Sequence, residues 1–505
     1  MTSPKPLPPF HPVLFGIFPV VGLFSTCWDM FYPVVLVRPL LASILVTLLG
    51  WWICGYVSRD RREAALLTSM IILLGVAIKA LPSWMLALLL AFAALYLWVK
   101  TARDLSAATY LANIVGAALV IVSAAQCLKG LKQPRFRPRL STAAPALSPG
   151  AARPDIFYIV LDGFGRADVL QRYYQLDQRP FLEALEKRGF YVAARSRSNY
   201  VQTHLSVPST LNFRYWDELL PDANPDPDRR LGIDALRHNE LARLLKSQGY
   251  RTIAFPTGFD PSEMRTADSF VFNPYSVNEF EAVVLDLTLI PGLFRIVAME
   301  PRLHLHRLRM LQVFRELEDV EAGDAPVFVF AHLLSNHPPF VLGENGEAYF
   351  PDSTFSNEDG NRFWSRPGHS RQGYIENYRR QARFVNRRVI EVLDRILANP
   401  ARPRVVIVQG DHGPGSRWDT ESLAATCLDE RVSILNAYYF PDRDYRRLYP
   451  EISPVNSFRV VLNQYFGAAY DLLPDRSFYS SGSKDFEFTD VTARAGSPAD
   501  TACAP

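Results

Sequence analysis

A chain of 505 residues with 54 basic and 51 acidic side chains has a formal charge of +3, too small to argue for nucleic acid as a partner. No basic run interleaved with aromatics appears in its charged part. The length exceeds what one hydrophobic core organises, so two or more domains are expected. Up to about residue 128 the sequence is dominated by Leu, Ala, Val, Ile and Trp, whereas the remainder mixes charged, aromatic and proline residues as soluble domains do.

Five apolar stretches, roughly 10–27, 33–57, 64–81, 83–99 and 105–128, are read as membrane spans, several of them near the minimum of about 17 residues. The first is not read as a cleaved signal, because no Ala-x-Ala site follows it and four more apolar segments do. Lys5, Arg59, Arg61, Arg62, Lys100 and Arg103 fall on one side if the amino terminus is cytoplasmic. Arg38 and Lys79 fall opposite, each at a helix end where a long side chain reaches the interface. Five spans then put the carboxy-terminal domain outside.

Residues 129–153, KGLKQPRFRPRLSTAAPALSPGAAR, are rich in Pro, Ala and Ser without apolar periodicity and read as a linker. The basic start of this stretch reads as a stem lying on anionic headgroups or, alternatively, as a patch that steers substrate. Of the cysteines, Cys27, Cys54 and Cys127 lie in or beside spans, which leaves Cys427 and Cys503 as the pair able to meet in an oxidising compartment.

From 154 to 490 short, unbroken apolar runs alternate with helical patterns. DIFYIVLD, YRTIAFP, APVFVFAHLL and RPRVVIVQGD suit strands covered on both faces, and FLEALEKRG, LARLLKSQG and FVNRRVIEVLDRILAN suit the helices that cover them. This alternation predicts an α/β domain with a doubly wound, mostly parallel sheet, followed from 491 to 505 by a tail without fixed structure. Such sheets bind ligands outside the carboxyl ends of their strands. Four polar residues stand where a strand stops: Asp162, His332, Asp411 and His412.

Asp411 and His412 end VVIVQGDHG beside Gly410 and Gly413. Burying a carboxylate costs free energy unless a cation neutralises it, and mixed oxygen and nitrogen ligation suits zinc or manganese. A lone Asp-His-Gly more commonly serves as a helix cap with a solvated histidine. Asp162 in YIVLDGFGR repeats the design, and two acids on one sheet edge repel unless they share a cation. The stretch NYVQTHLSVPSTLN offers Thr203, Ser206, Ser209 and Thr210 ahead of a helix, where they can cap it or supply a hydroxyl nucleophile. His332 and His337 in FVFAHLLSNHPPF could hold a phosphoryl oxygen or assist a leaving group, although His332 also suits a core histidine. No role is assigned to His204, His238, His304, His306 or His369.

With these residues in hand the sequence resembles the alkaline phosphatase and sulfatase superfamily, in its membrane-bound bacterial branch of phosphoethanolamine transferases and lipoteichoic acid synthases. Thr203, Ser206, Val207 and Pro208 reproduce the Thr-x-x-Ser-Val-Pro context of the nucleophilic threonine in those transferases. His332 and His337 are similar to their substrate-side pair, and Asp411 with His412 to their late Asp-His-Gly. Asp162 departs from the glutamate usual there and looks more like sulfatases and nucleotide phosphodiesterases. SVPST carries Thr210 where the formylglycine signature requires Arg, which disfavours an activated sulfatase, and no histidine follows His412 to build a permanent second metal site.

The resemblance implies an alkaline-phosphatase-like catalytic domain on the extracytoplasmic side of a bacterial inner membrane, anchored by several spans. One divalent ion, zinc or manganese, would be held by Asp162, Asp411, His412 and Thr203, with Thr203 the nucleophile and Ser206 its runner-up. His337 and His332 would bind substrate, a phospholipid or envelope glycan. The expected activity is transfer or hydrolysis of cell-envelope phosphate esters through a covalent threonine intermediate. The alternatives are a sulfatase-like or phosphodiesterase hydrolase of envelope polymers, or a transporter or scaffold with a degenerate binding domain. Against the last two stand the scarcity of acids within the spans and the filled ligand positions.

Overall fold

A computed structural model describes residues 7–28, 31–80, 82–131, 153–220, 229–288, 290–292, 300–320, 323–352, 355–398, 402–495 and 501–503. Lys5 and most of the expected linker, 132–152, lie outside these residues. The chain divides into two compact units, Met1–Arg135 with Val277–Met299, and Phe136–Ser276 with Glu300–Pro505.

The first unit holds helices α1 (His11–Thr26), α2 (Val37–Val57), α3 (Arg61–Ala80), α4 (Met85–Thr101) and α5 (Ser106–Leu131). Among the described residues, two stretches, Pro33–Val57 and Ser106–Gly130, are long and apolar enough to cross a membrane, while His11–Thr26 and Met85–Thr101 are apolar but shorter. Polar groups tie the helix ends. The Glu63 carboxylate is fully buried and accepts from Arg59 Nε at 2.5 Å and Lys100 Nζ at 2.6 Å, the pairing a buried charge requires. Asn113 Oδ1 on α5 accepts from the backbone N–H of Phe10 at 3.1 Å and of His11 at 2.9 Å, groups that the first turn of α1 leaves without helical partners.

Residues from the middle of the soluble sequence join this unit. A short helix, Glu279–Asp286, starts at a capping box formed by Asn278 and Glu281. Its Phe280 is buried against the rings of Phe24 and Phe31, with centroids 5.8 and 5.5 Å away. The expected catalytic span of 154–490 is therefore interrupted at 277–299, because the apolar face of this helix is buried by α1 and its neighbours.

The second unit is built on a seven-stranded sheet of order β2-β7-β6-β1-β5-β3-β4. The strands are β1 (Asp155–Leu161), β2 (Tyr191–Val192), β3 (Arg251–Ala254), β4 (Ser269–Phe270), β5 (Val327–Leu333), β6 (Arg404–Gly410) and β7 (Asn436–Tyr439). Pairing is parallel from β6 to β4, and β7 is antiparallel to both its neighbours. Every residue of β1, β5 and β6 is buried, as their unbroken apolar runs require.

Alternation along β1 feeds two cores. Phe157, Ile159 and Leu161 pack with the helices Pro301–Glu318 and Arg371–Ala398, through Phe314, Val385 and Leu393 among others. Ile156, Tyr158 and Val160 pack on the other face with Leu241 and Leu245 of Glu240–Ser247 and with Phe458 and Val461 of Pro454–Tyr465. The sheet is doubly wound, as expected. Truncating one central side chain, Leu161→Ala, would cost about 2–5 kcal/mol.

A hairpin of β8 (Phe478–Ser481) and β9 (Lys484–Asp490) follows. The tail is not free of structure as expected: Thr501–Cys503 form a turn of 3-10 helix, and a disulfide joins Cys503 to Cys427.

Candidate active site

Register brings the candidate residues to one edge. Leu161 at the end of β1 lies opposite Leu333 of β5 on one side and Gly410 of β6 on the other, so Asp162 and Asp411 leave adjacent strands side by side. His332 sits opposite Val160. Gly163 adopts φ +65, a left-handed turn that costs a glycine nothing, and its N–H donates to Asp411 Oδ1 at 3.1 Å. A side chain at Gly413 would put its Cβ 2.0 Å from the Glu430 carbonyl oxygen, so glycine is needed for the close approach after His412.

The four residues at the strand ends are all buried. His332 Nε2 is 3.2 Å from Asp162 Oδ2, and His412 Nε2 is 3.6 Å from Asp162 Oδ1 and 3.4 Å from Asp411 Oδ2. Asp162, His332 and Asp411 bring one ligand atom each within 4.8 Å of one another. Asp162 Oδ1 and Asp411 Oδ2 are buried without a hydrogen-bond donor, an expense that native interiors seldom carry and that a cation would relieve. The donor set of carboxylate oxygens and imidazole nitrogens therefore fits a divalent ion. His332 lies with the acids, a closer association with the ligand set than its expected place on the substrate side.

Buried acids and imidazoles shift one another here. Burial opposes ionisation of Asp162, yet His337, His332 and His412 hold its carboxyl well below the usual range. Burial likewise opposes protonation of His332, but Asp162 and then Asp411 carry its pKa upward. His412 moves the other way, lowered by burial and then by the Arg431 guanidinium. Its Nδ1 donates to the Gly413 carbonyl at 2.9 Å, which leaves Nε2 as a lone-pair acceptor.

Thr203 opens the helix Thr203–Asn212, all ten residues of which are buried, with Gln202 as its N-cap. Its Oγ1 is 3.1 Å from His412 Nε2, and the positive end of the helix dipole favours an oxyanion there. Ser206 Oγ donates to the Asp411 carbonyl oxygen at 2.7 Å. That hydroxyl anchors the Asp411 backbone, whereas the Thr203 hydroxyl faces His412. His337 donates through Nδ1 to the Pro338 carbonyl at 2.6 Å and has its Nε2 4.0 Å from Asp359 Oδ2.

Two residues escape a reading of the sequence. Arg431, fully buried, donates to Asp359 Oδ2 at 2.7 Å, to the carbonyls of Val201 at 2.9 Å and Gly413 at 3.1 Å, and has Nη2 3.3 Å from His412 Nε2. Its guanidinium lies 3.6 Å from the centroid of the Trp418 ring. Asp359 also accepts from the Tyr374 hydroxyl at 2.8 Å. Arg431 thus fastens the loop before Thr203 to the loop after His412.

An edge of this kind suits substitution at phosphorus or sulfur, with an alcohol to attack and acids able to hold the cation that offsets developing charge. A model of the family described as Sulfatase matches residues 154–452. The chain belongs to the sulfatase family and is an enzyme of that superfamily.

No curated protein matches the chain. Among solved structures, the C-terminal periplasmic domain of EcEptC from Escherichia coli, in complex with Zn, is similar over 73% of this chain and 100% of its own, at 12% identity and a TM-score of 0.44. EptA from Neisseria meningitidis, an integral membrane lipooligosaccharide phosphoethanolamine transferase, is similar over 88% and 79%, at 12% identity and 0.40. The 2-O GAG sulfatase BT1596 is similar over 67% and 76%, at 13% identity and 0.37.

Proposed function

We propose that the protein is a membrane-anchored phosphotransferase of the bacterial cell envelope, with its catalytic domain on the extracytoplasmic side and Thr203 as a covalent relay. The observation that carries this reading is the 3.1 Å approach of Thr203 Oγ1 to His412 Nε2 beside two buried carboxylate oxygens that lack donors. The ligands of the proposed ion, zinc or manganese, are Asp162, Asp411, His412 and the Thr203 oxygen, with His332 close enough to Asp162 to take part. Bound there, a divalent ion supplies a lowered pKa for the threonine hydroxyl and offsets phosphoryl charge.

The residues of the chain then do the following. Thr203 Oγ1 loses its proton to solvent and attacks the phosphorus of a phospholipid headgroup, forming a P–O bond as the bond from phosphorus to the lipid oxygen breaks. His337, in the loop facing Asp359, gives a proton to the leaving oxygen and takes one back from solvent. An acceptor hydroxyl of an envelope glycan or lipid takes the group from Thr203 and restores the alcohol. Arg431 keeps the Thr203 and His412 loops in register throughout. The five helices α1 to α5 are read as five spans, with the amino terminus inside, and this anchoring supports a lipid donor over a soluble one.

Mass spectrometry of the intact protein from its host is the test. A phosphoryl-type adduct on Thr203, absent from Thr203→Ala, is expected, and its mass names the transferred group. A sulfo adduct would turn the reading to sulfate esters. An unmodified threonine in a preparation that still turns over substrate would refute the relay.

A further inference from the structure

In the first unit α1, α2, α3 and residues 277–288 with Ile290 line an open pocket of about 720 Å³, within the range of roughly 300–1,000 Å³ in which small-ligand sites fall. Its walls are apolar, among them Val20, Val46, Ile72, Val76, Val284 and Leu287. Gly75 contributes bare backbone, for a Cβ built there meets nothing within 4 Å. Polarity gathers where Arg38 opens α2 and Glu281 sits on the short helix, with Arg38 Nε 3.2 Å from Glu281 Oε1 and the arginine side chain 66% exposed.

The geometry points to a phospholipid site, with an acyl chain lodged along the apolar walls and a zwitterionic headgroup laid across the Arg38–Glu281 pair. Three observations argue for that occupant. The α2 wall belongs to a stretch with a mean hydropathy of 2.1 of which only 17% is buried by protein, so hydrocarbon is the medium that meets it. Arg38 stands at the helix end, the depth at which a long basic side chain reaches phosphates. A guanidinium beside a carboxylate complements a phosphate beside an ammonium, whereas a purely anionic headgroup would face the Glu281 charge.

The segment that lines one wall of the pocket, 277–288 with Ile290, is continuous in sequence at both ends with the catalytic domain. A lipid held there is retained by the same stretch of chain that interrupts the catalytic domain. The inference rests on the membrane anchoring and lipid donor proposed above, and its test separates the two.

The full chain is placed in nanodiscs of phosphatidylethanolamine and phosphatidylglycerol in equal parts, with a trace of phosphatidylethanolamine bearing a diazirine on its acyl chain. After photolysis, labelled peptides are mapped by mass spectrometry. Labels are expected in α2, in α3 and in 277–290, reduced about tenfold, or ~1.4 kcal/mol, by Gly75→Leu, which fills the cavity. Ala42→Phe serves the same purpose should Gly75→Leu lose its thermal transition. Arg38→Gln is expected to remove the preference over a phosphatidylglycerol probe.

Labels spread evenly over α4 and α5 and indifferent to Gly75→Leu would overturn the site, as would equal labelling of the cavity by the phosphatidylglycerol probe in the unmodified chain. Cavity labelling without any Thr203 adduct keeps the site and sinks the donor reading. A Thr203 adduct without cavity labelling does the reverse.

Discussion

Nε2 of His412 faces the Thr203 hydroxyl at 3.1 Å while Nδ1 of the same ring is spent on the Gly413 carbonyl. The backbone therefore fixes which nitrogen looks into the site, and the threonine has one well-defined partner. Ser206, one helical turn on, is turned away to the Asp411 carbonyl.

These two hydroxyls should separate cleanly. Thr203→Ala is expected to lower kcat by about a thousandfold or more, as loss of a nucleophile does elsewhere, while Thr203→Ser keeps a measurable fraction and still forms the adduct. Ser206→Ala loses a buried hydrogen bond worth about 1 kcal/mol and should lower the melting temperature while the Thr203 adduct persists. Steady-state rates, melts and intact mass on the three variants decide it, and an inactive Ser206→Ala with a normal melt would move the nucleophile to Ser206.

Removal of the ion should be visible without any assay of turnover. Asp162 Oδ1 and Asp411 Oδ2 have no hydrogen-bond donor among the described residues, and a ligand that binds only the folded chain adds about 2.7 kcal/mol at a hundredfold excess over its Kd. Dialysis against a chelator is expected to lower the melting temperature, and zinc or manganese to restore it. Asp411→Asn should bind less than one ion per chain by elemental analysis and show no such shift. A melting curve indifferent to chelator, with full activity, would show that the acids are not a metal site.

The gathering of Asp162, Asp411 and His412 at one sheet edge was legible because they stand where unbroken apolar strands end, although an Asp-His-Gly alone also reads as a helix cap. Thr203 was legible because it starts a helix next to a Ser-Val-Pro. The register of His332 was not: only the pairing of β5 with β1 sets it against Val160 and beside the acids. Arg431 lies in LDERV and Asp359 in SNEDGN, both of which read as surface charge. Their roles arise from a contact between segments more than seventy residues apart in sequence, and local pattern carries no trace of it. The same holds for 277–299, whose short apolar run matches a soluble helix as well as one on the membrane unit.

The disulfide gives a prediction about the tail. Cys427 and Cys503 are 76 residues apart, and closing a loop of that length removes entropy from the unfolded chain worth about 2–4 kcal/mol in the usual case. Cys503→Ser is expected to melt several degrees lower than the unmodified protein, and reductant should shift the latter but not the former. Free-thiol titration under denaturing conditions checks the bond itself: three reactive thiols are expected before reduction, and five would show that the pair is not joined.

Asp359 and Arg431 make the sharpest case for a pH effect. Burial raises the Asp359 pKa, but the Arg431 guanidinium, then His337 and His412, outweigh it and hold the carboxyl below its ordinary value. A carboxyl depressed in the folded state stabilises fully above its unfolded pKa of about 3.9, and that contribution is lost as pH falls through the lower folded value. Acid should therefore loosen the unmodified protein below about pH 4 in part through this group. Asp359→Asn lacks that component, so its stability should vary less with pH in the same window. At neutral pH it should be weaker by about 3–5 kcal/mol, since Arg431 stays buried with its carboxylate partner gone. Denaturant unfolding at pH 7 and between pH 3 and 4 reads both effects, and Asp359→Asn with Arg431→Met should recover part of the loss at pH 7. Equal pH slopes for the unmodified chain and Asp359→Asn would show that the pair does not couple proton binding to folding.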